Sequence, residues 1–386
     1  MTAETPLSLT DERFARFEKV EWWQQQRLRD ARILVAGAGA LGNEVIKNLA
    51  LLGVGHLVIA DMDTIEISNL TRSPLFRESD AGSSKAVCAA RSARELYPAM
   101  NVRAIPANIT SDLGLGWIRW ADVVVGALDN REARLFLNSA CARLGRPWID
   151  GGIEVMQGIV RGFHPPSTSC YECTMSEVDW QIVNKRRSCS MLARRALAHG
   201  GVPTTPITAS VIGAIQSQEV IKYLHDLPAL LGKGFLYEGA THNSYGVSYP
   251  IAPDCPWHEE VPPVESLGDC GSDTPLSRVW AHAEERLGGC DAIEFGREVV
   301  ESLQCVECGR ARTILQPVER VSEDDARCDA CGADSAPQFL HAISRGSEYL
   351  ERTPRALGLP EWDIVWARRG EQFLGFELSA DAPGGQ

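Results

Sequence analysis

Three glycines, a set of acids and bases spaced behind them, and three Cys-x-x-Cys pairs are the residues of this chain whose types and spacing could do chemistry. Gly37, Gly39 and Gly42 fit the pattern G-x-G-x-x-G. Glycine lets such a turn close and lets phosphate approach the backbone, while the helix behind it offers unpaired N–H donors. Asp61 follows Gly42 by nineteen residues, where its carboxylate could accept from a ribose hydroxyl. Alone, that much fits NAD or FAD as well as ATP. The residues after it discriminate: Asp61-Met-Asp63-Thr-Ile-Glu-Ile-Ser-Asn69-Leu-Thr-Arg72, then Lys85, then Leu128-Asp129-Asn130. An NAD-dependent oxidoreductase needs only the glycine turn and Asp61, and leaves Asn69, Arg72, Lys85 and Asp129 unexplained. An adenylating enzyme needs more. It must hold a triphosphate, offset charge on the leaving pyrophosphate and set a carboxylate in line with the α-phosphorus. Two cations and a metal-binding carboxylate supply that stabilisation. Each residue has a plainer alternative: Asn69 and Arg72 could cap a loop, Lys85 could be a surface residue at a helix start, and Asp63 could only orient its loop.

Cys305-Val-Glu-Cys308 and Cys328-Asp-Ala-Cys331, with nineteen residues between the pairs, have the spacing of a zinc ribbon. Its role would be structural, because a unit that small needs a metal to fold. Cys170-Tyr-Glu-Cys173 is half of another metal site. Cys189 stands apart, in Arg186-Arg187-Ser-Cys189-Ser-Met, with Arg194 and Arg195 close behind. A cysteine among such charges could be held as a reactive thiolate; otherwise it is a surface cysteine without a role. Cys88 and Cys141 fall on apolar helix faces and read as core. Cys290 has no evident role.

These residues need elements to position them. Ile33–Ala36 reads as a buried strand, Asn43–Leu52 as a helix and His56–Ala60 as a strand ending at Asp61. That is the first half of a doubly wound α/β fold. Val102–Ile105, Ala121–Val125 and Pro147–Ile149 continue the strands, with a helix around Arg131–Leu144 between the last two. Residues 10–29 read as a helix, and Pro206–Leu224 as a long one. Between Cys173 and Pro206 lies a polar stretch of about thirty residues with little periodicity, a length that usually means function or mobility. Pro and Gly become dense at 250–275, a domain boundary.

The chain has 386 residues, 44% hydrophobic and 23% charged, with formal net charge −13. The length suggests two to three domains. The acidity argues against nucleic-acid binding, which needs clustered Lys and Arg. No stretch approaches the roughly 18–20 apolar residues that span a bilayer, and Met1–Phe17 lacks the apolar run of a secretory signal. A cytoplasmic location is expected, where twelve cysteines are metal ligands or reactive thiols more often than disulfides.

Taken in order, Gly37–Gly42, Asp61-Met-Asp63 with Ser68-Asn69-Leu70 and Arg72, Lys85, and Leu128-Asp129-Asn130 with Arg134 resemble the motifs of the MoeB/ThiF/ubiquitin-activating (E1-like) family over about residues 10–260. The resemblance implies a ThiF/MoeB-type Rossmann-like sheet and use of ATP and magnesium. It implies that Gly37, Gly39, Gly42, Asp61, Asp63, Asn69, Arg72, Lys85, Asp129 and Asn130 form the nucleotide site, with Asp61 on ribose, Asn69, Arg72 and Lys85 on phosphates and Asp129 on magnesium. The family's N-terminal arginine reaches across a homodimer into the partner's site; Arg13-Phe-Ala-Arg16 matches, and Arg16 fits best. A second metal pair follows the long helix in the family. Here the matching segment is Asp254-Cys255-Pro-Trp-His258, so Cys170, Cys173, Cys255 and His258 would bind zinc, with Cys270 the competitor for the fourth place.

Family members that form thioesters carry the nucleophile in the crossover segment, where Cys189 lies. The expectation is therefore an enzyme that adenylates the C-terminal glycine of a ubiquitin-like protein, takes it onto Cys189 as a thioester and hands it to a carrier enzyme, as in bacterial conjugation systems linked to phage defence. Cys88, Cys141, Cys270 and Cys290 are the alternative nucleophiles. The rival within the family is a sulfur-carrier activator for thiamin or molybdopterin that stops at the adenylate. The expected domains are an adenylation domain at 1–265 with crossover 174–205, a linker or helical segment at 266–300, a zinc ribbon at 301–340, and an extension at 341–386 with a disordered tail.

Overall fold

The computed structural model describes residues 9–188 and 203–383. Two short helices, α1 (Leu9–Phe14) and α2 (Gln25–Asp30), replace the single helix expected at the N-terminus. Then comes an alternation: β1 (Arg32–Ala36), α3 (Ala40–Leu51), β2 (His56–Ala60), α4 (Lys85–Leu96), β3 (Asn101–Ile105), α5 (Leu115–Trp120), β4 (Val123–Gly126), α6 (Arg131–Arg143) and β5 (Trp148–Glu154). β6 (Gln157–Phe163), α7 (Glu177–Ser188), α8 (Pro206–Leu224), β7 (Lys233–Glu238) and β8 (Asn243–Ser248) complete the first unit. Its eight strands run in the order β3-β2-β1-β4-β5-β6-β7-β8. Pairing is parallel from β3 to β5 and antiparallel from β5 to β8.

The parallel strands are nearly continuous apolar runs because both faces are covered. Ile33, Val35, Leu57, Ile59 and Val125 face α3, α4 and α8. Their neighbours Leu34, Ala36, Val58 and Val124 face α5 and α6. Side-chain oxygens cap three helices: Ser84 accepts from the N–H of Val87, Asn130 from that of Ala133 and Thr205 from that of Thr208, each satisfying an N–H that the helix leaves open.

In the C-terminal third, the segments read as linker or helical segment, ribbon and extension contribute to one sheet, and a helix does lie within 266–300. β9 (Val264–Leu267), β10 (Ala292–Cys305), β11 (Ala311–Pro317), β12 (Ser335–Ser344), β13 (Ile364–Arg369) and β14 (Gln372–Leu378) form one six-stranded sheet, with α9 (Leu276–Leu287) packed on it. β10 starts at Ala292, pairs there with β13, and runs on into the cysteine-rich tip. The segments at 266–300 and 301–340 therefore share one strand, and the segment at 341–386 supplies that strand's partner.

This sheet is welded to the first unit. Ile364 and Trp366 are buried in the same cluster as Leu34, Val124 and Trp148. Asp363, with its side chain 1% exposed, pairs with Arg297, also 1% exposed, and accepts from the N–H of Leu115 at 2.9 Å. Arg297 donates on to the carbonyls of Thr110 and Leu113. A Cβ on Gly114 would meet the Glu361 carbonyl oxygen at 2.1 Å, so glycine is what allows the backbones to touch. No described helix is long and apolar enough to cross a membrane. Of the tail expected to be disordered (382–386), residues 384–386 lie outside the described residues.

Candidate nucleotide and metal sites

The glycine turn sits at the carboxyl end of β1, beside the loop that leaves β4. Gly37 has φ +97°, and a Cβ there would lie 2.3 Å from the Ala127 carbonyl oxygen. A Cβ on Gly42 would lie 2.0 Å from the Gly37 carbonyl oxygen. Gly39 caps the N-terminus of α3, and its missing Cβ faces open space. Two of the glycines thus make the turn possible, and the third leaves the approach to the helix N-terminus clear. Asn43 braces the turn: its amide donates to the carbonyls of Ala38 and Gly39 and accepts from the N–H of Leu75.

Asp61, at the end of β2, accepts from the N–H of Ala38 at 2.6 Å and from that of Asp63 at 2.8 Å. Burial nevertheless pushes its pKa above the ordinary aspartate range, against the pull of those bonds and of Lys85. Lys85 opens α4 and its Nζ pairs with Asp63 Oδ2 at 2.7 Å. Asn69 and Arg72 make the loop contacts of the plainer reading: Asn69 Oδ1 accepts from the N–H of Glu66, and Arg72 donates to the Ser68 carbonyl. Asp129 is exposed at the exit of β4 and accepts only a 3.1 Å bond from Asn130 among the described contacts. Asn130 caps α6. Asp61, Asp129 and the glycine turn thus share the carboxyl end of the parallel sheet, where doubly wound folds bind nucleotides.

Arg16 is exposed, two residues from Phe14. Phe14 packs beside Gly53, just past the far end of α3. The twelve residues of α3 span about 18 Å, so Arg16 lies about a helix length from its own chain's glycine turn. Arg13 is engaged elsewhere, donating to the Leu96 carbonyl and lying over the Tyr97 ring.

The first cysteine set converges. The donor atoms of Cys170, Cys173, Cys255 and His258 lie within 4.8 Å of one another. Cys170 Sγ is 3.7 Å from Cys173 Sγ and 3.5 Å from Cys255 Sγ, and Cys173 Sγ is 3.0 Å from His258 Nε2. Thiolates 2.3 Å from a tetrahedral zinc stand about 3.8 Å apart, so the donor set fits that ion. Cys270 is not part of it; it lies with Asp269 and His282. The second set also converges, with Cys305 to Cys331 at 3.5 Å and Cys308 to Cys328 at 3.6 Å. The N–H of Cys308 points at Cys305 Sγ and holds that thiol's pKa down, at about 6.

Cys189 lies outside the described residues. The four alternative nucleophiles are all buried. Burial raises the thiol pKa of Cys88, Cys141 and Cys290, and pushes that of Cys270 up to about 11.

With this geometry in place, the comparisons are direct. The model of the ThiF family matches residues 11–255. The chain belongs to the ThiF family. A sulfur carrier protein adenylyltransferase of Thermus thermophilus is 30% identical over 257 residues, covering 64% of this chain and 88% of its own. A SAMP-activating enzyme E1 of Haloferax volcanii is 33% identical over 239 residues, covering 60% of this chain and 82% of its own. E. coli MccB, crystallised with ATP, shares the fold at a TM-score of 0.53 and 23% identity, with 64% of this chain and 74% of that chain covered. The ThiF match ends at residue 255, so β9 to β14 lie beyond it.

Sequence reasoning missed Asp150, Arg161 and Gln216. Asp150 is fully buried between Arg134 and Arg161. Gln216 is fully buried, and its amide donates to the carbonyls of Gly126 and Ile149. A carboxylate in an apolar strand and an amide within an apolar helix were the available signals.

Proposed function

We propose that this ThiF-family protein is an adenylyltransferase that joins AMP to the C-terminal carboxylate of a ubiquitin-like protein, then takes the acyl group onto Cys189 for handover to a carrier enzyme. The observation that carries the first step is the open Asp129 carboxylate beside the glycine turn. In this reading ATP lies with its phosphates over Gly39 and the N-terminus of α3, and its ribose on Asp61. Asp129 is the magnesium ligand. Lys85 leaves Asp63 for the leaving pyrophosphate, and Arg72 and Asn69 turn from their loop contacts to the phosphates. The carboxylate oxygen attacks the α-phosphorus, and pyrophosphate departs with the bonding pair. The position of Arg16, remote from its own site, supports a homodimer in which it reaches the partner's.

The thioester step rests on Cys189, in the crossover between Cys173 and α8. The thiolate attacks the acyl-adenylate carbonyl and AMP leaves. The raised thiols of Cys88, Cys141, Cys270 and Cys290 favour Cys189, since the thiolate is the nucleophile. Zinc at both cysteine sets would be structural. The 30% identity to a sulfur carrier protein adenylyltransferase favours a second reading, in which the protein stops at the adenylate. One experiment separates the two. With the ubiquitin-like partner, ATP and magnesium, wild-type protein should form a covalent adduct that excess thiol removes. Cys189→Ala should form none while keeping pyrophosphate exchange. An adduct undiminished in that variant overturns the assignment of Cys189, and no thiol-sensitive adduct in the wild type favours the sulfur-carrier reading.

A further inference from the structure

Asp150 connects two parts of the molecule that the proposed reaction treats separately. Its two oxygens are divided between two arginines: Oδ1 accepts from Arg134 Nε at 2.8 Å, and Oδ2 accepts from Arg161 Nη2 at 2.5 Å and Nε at 3.1 Å. The carboxylate is fully buried, and the arginine side chains are 11% and 15% exposed. Two cations around one anion leave a net positive charge in a low-dielectric interior, costly unless each polar atom is satisfied.

The remaining donors go to specific places. Arg134 Nη2 donates to the Leu128 carbonyl at 2.7 Å and to that of Gly151 at 2.9 Å, and Nη1 reaches the Asn130 carbonyl at 3.4 Å. One guanidinium therefore holds the peptide carbonyls on both sides of Asp129. On the other side, Arg161 Nη1 donates to Thr174 Oγ1 at 3.2 Å, and that hydroxyl donates to the Tyr171 carbonyl at 2.7 Å. The Arg161 guanidinium also lies 4.8 Å from the centre of the Tyr171 ring. Tyr171 and Thr174 belong to the Cys170–Cys173 turn. The bonds run unbroken from that turn through Arg161, Asp150 and Arg134 to the backbone around Asp129.

We infer that Asp150 is a positioning residue: it transmits the geometry of the first cysteine set to the Asp129 loop, so that filling the metal site aims the Asp129 carboxylate at the magnesium of bound ATP. The inference rests on the proposed role of Asp129. The fully buried carboxylate admits no water to substitute for either arginine, so a change in the cysteine turn is passed on rather than absorbed.

The test uses the full chain with ATP bound, and Mn2+ as the probe, its affinity measured by electron paramagnetic resonance. Partners behind a metal ligand typically contribute ten- to hundredfold in affinity, so Asp150→Asn should weaken Mn2+ binding about tenfold. Its affinity for ATP without divalent metal should stay within about twofold, because no contact of the glycine turn is lost. Removing zinc from wild-type protein with a chelator should weaken Mn2+ binding to a similar extent, and should add nothing in Asp150→Asn, since both act through one path. Thr174→Val removes the hydroxyl that joins Arg161 to the Tyr171 carbonyl, leaves both Asp150 ion pairs in place, and decides the matter if Asp150→Asn does not fold; Mn2+ affinity should drop about threefold. Unchanged Mn2+ affinity in the folded variants, or independent additive effects of zinc removal and Asp150→Asn, overturns the inference. Asp129→Ala separates the two levels. If it does not affect Mn2+ binding, the assignment of Asp129 fails; if it alone does, only the link through Asp150 fails.

Discussion

Gly37 and Ala127 touch through backbone alone: a Cβ on Gly37 would lie 2.3 Å from the Ala127 carbonyl oxygen. The glycine turn and the Asp129 loop are thereby fixed against each other. Gly37→Ala must push them apart and also hold alanine at φ +97°. A loss of about 2 kcal/mol or more in denaturant unfolding is expected, together with loss of ATP binding. Gly39→Ala is the control. Its Cβ meets nothing, so stability should change by less than about 1 kcal/mol, while ATP affinity drops because the methyl stands where phosphate must approach. Equal stability losses in the two variants would sink this account of the turn.

The glycine turn and β1 to β5 were legible because apolar runs, glycine spacing and a helix of period 3.6 are local signals. Pro206–Leu224 was legible for the same reason, with Thr205 and Pro206 marking its start. The long β10 was not, because Cys305 and Cys308 drew attention to its end while its pairing partner, β13, lies about sixty residues on. Asp150 stood out only as a carboxylate in an apolar strand; its meaning lies in Arg134 and Arg161, which only the folded sheet brings to it. Arg72 and Asn69 have the loop contacts that the plain reading anticipated, and only their motif order argues for phosphate.

The two cysteine sets should bind two zinc ions per chain by elemental analysis. Cys255→Ser should release one and destabilise the first unit. Cys305→Ser should release the other but disturb mainly the tip of β10 to β12, since Ile293 and Phe295 at the start of β10 sit in the core with Val365 and Phe376. Complete unfolding of the C-terminal sheet in Cys305→Ser, followed by hydrogen exchange, would contradict this placement.

Arg297 and Asp363 form the buried ion pair at the seam between the sheets. Asp363→Ala leaves a guanidinium buried without its carboxylate and should cost about 3–5 kcal/mol in denaturant unfolding. With core shared across the seam, wild-type protein should unfold with both sheets lost together. A separate earlier transition of the C-terminal sheet in the wild type would show the seam to be weak.

Asp61 carries a sign that can be checked. Its pKa in the folded chain is raised above the ordinary 3.8 by burial. The folded state therefore prefers the protonated acid, and the stability this group contributes at low pH declines as pH rises through the raised value. Ribose binding in the proposed site would use the carboxylate as acceptor and so have the opposite dependence. ATP affinity should fall on acidification at a pH above the ordinary aspartate range, and Asp61→Asn should bind weakly with that step absent. A wild-type affinity profile superimposable on that of Asp61→Asn would remove Asp61 from the site.

The most direct measurement is the identity of the products when the protein meets ATP, magnesium and a ubiquitin-like protein ending in glycine. The account predicts cleavage at the α-phosphorus: labelled pyrophosphate should exchange into ATP only when that protein is present, AMP should be the nucleotide released, and Asp129→Ala should lose exchange while remaining folded. Release of ADP and phosphate instead, or undiminished exchange in Asp129→Ala, would contradict it.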